Sequence, residues 1–159
     1  MKKILLASLV LCALNADDYA KVCAAGQNEQ CLNAAKNCPS SDIFCAMKYL
    51  KIGCENGLAK VCYEAGDSVM LGASEHGYNV AVAKEFFSKG CDLGDGRSCA
   101  YLGDIYALNV ESFNEFNDEM DEKKAYLAQK DINKANEFYE RACKLGEKRA
   151  CQILKNPYK

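Results

Sequence analysis

The feature that most constrains this chain is a cysteine spacing that occurs four times. VCAAGQNEQC holds Cys23 and Cys31, GCENGLAKVC holds Cys54 and Cys62, GCDLGDGRSC holds Cys91 and Cys99, and ACKLGEKRAC holds Cys143 and Cys151. In every copy the two cysteines are eight residues apart, and a glycine (Gly26, Gly57, Gly94, Gly146) follows the first by three. On one continuous helix, eight residues rise about 12 Å, which is beyond disulfide reach. The glycine removes the difficulty. A left-handed glycine cap ends one helix, and the second cysteine then falls in the first turn of the next helix, facing the first. Each bridge closes a loop of nine residues, worth about 2.5 kcal/mol in the chain-entropy treatment. Several of these are comparable with the whole stability of a small domain.

The register extends beyond the cysteines. Eight residues before the first cysteine stands alanine (Ala46, Ala83, Ala135). Five before it is an aromatic (Tyr49, Phe86, Phe138), and four before it a large apolar residue (Leu50, Phe87, Tyr139). Directly before it is a small residue: Gly53, Gly90 or Ala142. These offsets share one face of an α-helix, and the cysteine continues the stripe. A second helix starts near the second cysteine, as in CYEAGDSVML and CAYLGDIYAL, with Gly66 or Gly103 four residues in. A missing side chain there lets two helices approach closely. The repeating unit is therefore helix, tight turn, helix. The expected fold is all-α: an α/α solenoid of three to four helix–turn–helix repeats stapled by disulfides.

The repeat period is 37 residues from Cys54 to Cys91, close to that of two-helix solenoids. From Cys91 to Cys143 it is 52, an excess of fifteen residues placed at about 109–128, while from Cys23 to Cys54 it is only 31. Cys38 and Cys45 fall inside that short unit, and pairing them would staple its helices across Pro39-Ser40-Ser41.

The first sixteen residues are expected to be a secretory signal peptide. Lys2 and Lys3 precede the apolar run from Ile4 to Leu14, and a small-residue site ends at Ala16. That run is too short for a permanent membrane anchor. Removing it takes Cys12 from the eleven cysteines and leaves ten, an even number suited to an oxidising space. Ten thiols pair in about 945 ways, so the spacing does the selecting. Residues 17–159 are expected to form the solenoid domain, secreted or periplasmic. Without Lys2 and Lys3 the charge is 18 basic against 22 acidic residues, or −4. The lack of a basic stripe excludes nucleic acid and anionic lipid as expected partners.

LGDIY followed by KANEFYERACKLGEKRAC resembles the Sel-one-like repeat, a relative of the tetratricopeptide repeat. The regular cysteine pairs together with the signal peptide resemble the secreted Helicobacter cysteine-rich protein family. That resemblance implies an α/α solenoid with one disulfide per repeat. It also implies a penicillin-binding or weak β-lactamase activity and, with it, a β-lactam or cell-wall-related ligand.

The residues do not supply that chemistry. A serine β-lactamase needs a lysine three residues after its nucleophile, and no serine from Ser41 onward has one. Neither S-D-N nor K-T-G occurs. A zinc enzyme needs several histidines, and His76 is the only one. Beside Ser74 and between two glycines, His76 reads as a solvated turn residue. The cysteines lack the C-x₂₋₄-C spacing of metal sites and the C-x-x-C of redox centres. No catalytic residue, metal ligand or cofactor is therefore assigned.

Two features point to binding instead. The insertion is acidic (Glu111, Glu115, Asp118, Glu119, Asp121, Glu122) and carries Phe113, Phe116 and Met120 at helical spacing. It reads as a solvated extension of two helices or as a docking knob. Tyr63, Asp67, Tyr101 and Asp104 lie on the helices that begin at the second cysteines, the row that lines the concave face in such solenoids. They are the candidate binding residues. A monomer holding a protein or peptide partner is expected, without stable membrane insertion.

Overall fold

The computed structural model describes residues 21–39, 42, 44–72, 77–108 and 122–156, with 122–130 described by backbone alone. The candidate signal peptide (1–16), Ser74, His76 and residues 109–121 of the insertion lie outside the described residues. The helices run in order α1 (Asn28–Lys36), α2 (Cys45–Glu55), α3 (Ala59–Met70), α4 (Val80–Asp92), α5 (Gly96–Leu108), α6 (Glu122–Lys144) and α7 (Lys148–Lys155). No strand occurs among the described residues. Each helix packs on its successor, and α1–α3, α2–α4 and α3–α5 also touch. Two rows result, α1-α3-α5-α7 and α2-α4-α6, joined as an all-α solenoid of helix–turn–helix units. The last residues of the insertion, from Glu122, extend α6.

The turns between helices repeat in detail. Gly57, Gly94 and Gly146 have φ of 81°, 90° and 90°, the left-handed conformation that glycine adopts without a Cβ penalty. Each glycine donates its N–H to the carbonyl of the first cysteine at 3.0 Å. The next residue donates to the carbonyl just before that cysteine: Leu58 to Gly53, Asp95 to Gly90, Glu147 to Ala142. This closes the helix end in a Schellman-type cap.

Among the described residues, five local disulfides staple the joints. Four span Cα–Cα distances of 4.6, 4.5, 4.7 and 4.8 Å (Cys23–Cys31, Cys54–Cys62, Cys91–Cys99, Cys143–Cys151). Cys38–Cys45 spans 5.7 Å. The first three of the equally spaced bridges are buried, whereas Cys143 and Cys151 are partly exposed. Five disulfides fit an oxidising compartment, and no described helix is long and apolar enough to cross a membrane.

Packing explains the small residues of the repeat. A Cβ on Gly53 would lie 2.6 Å from Cys31 Sγ, and one on Gly90 would collide with Ser98 and come within 3.2 Å of Cys62 Cβ. Each of these bridges thus rests directly on the following unit's helix. One layer over, the Phe87 ring covers Gly66 and the Tyr139 ring covers Gly103. Both rings are almost fully buried, and each contributes about 1.5–3 kcal/mol by leaving water.

Candidate functional site

Three helices of one row, α3, α5 and α7, converge on an open cleft of about 200 Å³ lined by Tyr63, Arg97, Ala100, Tyr101, Glu147 and Arg149. Every lining residue stands within four positions of a disulfide cysteine: Tyr63 follows Cys62, Arg97, Ala100 and Tyr101 flank Cys99, and Glu147 and Arg149 precede Cys151. The staples that hold the fold therefore also fix the cleft walls.

Aromatic rings form the floor. Tyr63 meets Tyr101 edge-on with centroids 5.5 Å apart, and Tyr101 stacks on the buried Phe87 at 5.0 Å and 27°. Over this floor lie two guanidinium groups. The Arg97 guanidinium carbon is 3.8 Å from the Tyr63 ring centroid, and that of Arg149 is 5.8 Å from Tyr101, both within cation–π range.

The two arginines are held differently. Arg149 makes a two-armed contact with Asp104, 3.1 Å to Oδ1 and 2.6 Å to Oδ2, and the Tyr139 hydroxyl donates to the same carboxylate at 2.8 Å. The hydrogen bond to Asp104 raises the Arg149 pKa further, against the opposing effect of burial. Arg97 instead spans Glu64 at 3.5 Å and Asp95 at 3.4 Å, longer and weaker contacts. Asp95 is fixed by its own role at the start of α5, where it accepts from the Ser98 N–H at 2.7 Å and from the Ser98 hydroxyl at 3.0 Å. Glu147 does the same for α7, accepting from the Arg149 N–H at 3.2 Å.

The Tyr63 phenol is pushed above its ordinary range. Burial is the first cause, followed by its hydrogen bond with Tyr101 and the negative charge of Asp67, with Arg97 opposing. A phenol held protonated is a hydrogen-bonding group and a poor nucleophile.

Of the four residues expected to face a ligand, Tyr63 and Tyr101 come together in the cleft. Asp104 lies behind Arg149 and is occupied by it. Asp67 sits one helical turn beyond Tyr63 on α3, outside the lining. The two arginines and Glu147 were not anticipated. The signal was present, because two of the chain's three arginines stand two residues before the second cysteine of a pair. Among the described residues no group of three His, Cys, Asp or Glu side chains is placed to hold a metal ion.

No family model matches the chain. A curated relative, the cytochrome c oxidase assembly factor 7 homolog of Drosophila melanogaster, is 39% identical over 61 residues. The match covers 36% of this chain and 23% of the relative, so the chain spans about a quarter of that protein's length.

Proposed function

We propose that this chain is a non-catalytic binding module of a secreted or periplasmic space, a Sel-one-like repeat protein that holds a protein or peptide segment against the α3-α5-α7 row. The observation that carries the reading is the disulfide-pinned cleft, with aromatic floor, guanidinium donors and carboxylate acceptors side by side. An extended peptide presents the complementary pattern, N–H and C=O groups alternating between side chains. At about 200 Å³ the cleft is below the usual range for a drug-sized ligand, and it suits one side chain with its flanking backbone. Because the walls are already fixed, little ordering cost falls on binding. The matching relative is named an assembly factor, which agrees with action on other proteins.

The β-lactam reading implied by the family resemblance gains less support. The cleft lining has no serine or cysteine, and its most perturbed group is a phenol kept protonated.

Selection of displayed random peptides on the oxidised protein tests the proposal. The intact protein is expected to enrich a peptide family, and Tyr101→Ala is expected to lose it while keeping its helical circular dichroism. An intact protein that enriches nothing but turns over nitrocefin saturably would overturn the binding reading.

A further inference from the structure

The repeats allow one unit to be compared with the next inside the same molecule. Asp104 and Asp67 occupy the same register, five residues after Cys99 and Cys62. Around Asp104 the register supplies two donors: the Tyr139 hydroxyl, from four residues before Cys143, and the Arg149 fork, from two residues before Cys151. The corresponding residues for Asp67 are Phe87 and Arg97. Phe87 has no hydroxyl to give. Arg97 turns away to Glu64 and Asp95.

One further register position distinguishes the two units. Arg149 reaches Asp104 in the unit where Ala100, directly after Cys99, lines the same cleft. In the preceding unit the equivalent residue is Tyr63, directly after Cys62, and its ring lies 3.8 Å under the Arg97 guanidinium. Cation–π attraction holds Arg97 over that ring. The half-buried carboxylate of Asp67 thus has neither the hydroxyl nor the guanidinium that its counterpart has, although its negative charge is felt by the neighbouring Tyr63 phenol.

Resting on the binding reading above, we infer that Asp67 is the seat for a basic side chain of the partner, an arginine or lysine that takes the place occupied by Arg149 one unit later. Charge favours this choice. Two arginines stand among five carboxylates: Arg97 pairs with Glu64 and Asp95, Arg149 pairs with Asp104, Glu147 caps α7, and Asp67 acts on Tyr63. An acidic segment would meet net repulsion. A guanidinium suits the site best, because its planar fork matches a carboxylate and stacks on tyrosine rings.

The peptides enriched by the intact oxidised protein are expected to share an arginine or lysine at one position. Replacing that residue by glutamine should weaken binding roughly tenfold or more, the range for losing a charge-assisted hydrogen bond. Asp67→Asn should lose the basic preference to the same extent, while Glu140→Gln, at an exposed carboxylate on the other helix row, keeps it. Phe87→Tyr supplies the missing hydroxyl and should weaken basic peptides without unfolding the protein. Peptides enriched without a basic residue, or selected equally by Asp67→Asn, would overturn this inference and leave the binding reading standing. No enrichment by the intact protein would instead overturn the binding reading, and this inference with it.

Discussion

Gly103 on α5 lies against the Tyr139 ring of α6, and replacing it with alanine tests the packing that builds the cleft. The added Cβ would lie 2.5, 2.6 and 2.9 Å from Cε1, Cδ1 and Cζ of Tyr139. Carbon atoms rest comfortably at about 3.5–4.0 Å, so ring and helix must separate by roughly 1 Å. The ring has little freedom to yield, being 3% exposed and tied through its hydroxyl to Asp104. Overpacking of this kind costs about 1–3 kcal/mol. Losing the charge-assisted hydrogen bond to Asp104 adds about 1.5–3, while alanine returns about 1 through helix propensity. A net destabilisation of about 1.5–5 kcal/mol is expected, read from urea unfolding with the disulfides intact. The sharper test is a double-mutant cycle with Tyr139→Ala. Once the ring is gone, the new methyl group enters a cavity, and Gly103→Ala should become stabilising by about 1 kcal/mol. That sign reversal is what a direct contact requires. If Gly103→Ala is neutral or stabilising in the intact protein, the close approach of α5 and α6 through Tyr139 is wrong.

Three further outcomes are expected. Replacing Cys91 and Cys99 together by alanine should cost about 2–4 kcal/mol, whereas the Cys143/Cys151 pair should mainly loosen α7; equal losses in denaturant melts would count against a repeat architecture. Tyr139→Phe should cost about 1.5–3 kcal/mol by thermal melting and leave Arg149 on Asp104, so a neutral result would mean that the hydroxyl contact contributes nothing. Because the Tyr63 pKa is raised, folding holds the phenol proton more tightly than the unfolded chain does, and the resulting stability is present up to about pH 10 and is lost as pH rises above it. In ultraviolet titration Tyr63→Phe should shrink the phenol fraction that ionises above that pH, and an unchanged late fraction would contradict the assignment.

The fold was legible because its determinants are local and repeated. A glycine three residues after a cysteine specifies where one helix stops, and the cysteine five residues later specifies where the next begins. The stripe before Cys54, Cys91 and Cys143 marks the buried face without reference to anything distant. The cleft was legible only in part. Tyr63 and Tyr101 declare themselves as aromatics on the row away from the main core stripe. What Asp104 does depends on a hydroxyl 35 residues away and a guanidinium 45 residues away, neither of which its own segment foretells. The difference between Asp67 and Asp104 is subtler still. It goes with two substitutions at matching positions, Phe87 for Tyr139 and Tyr63 for Ala100, whose effect on a carboxylate in another helix shows only once the units are packed.

The separation of each bonded pair by only seven or eight positions bears on how the protein is made. Closing a loop of about ten residues takes tens of nanoseconds, while forming a disulfide takes seconds or longer. The choice of partner therefore goes to whichever thiol is at the highest effective concentration during that wait, and short tethers make it the native one. A chain entering an oxidising space from its N-terminus can lock one joint before the next pair of thiols arrives, with few mispaired species to reshuffle. The same locality lets a single joint be reduced and reoxidised while the others keep their partners.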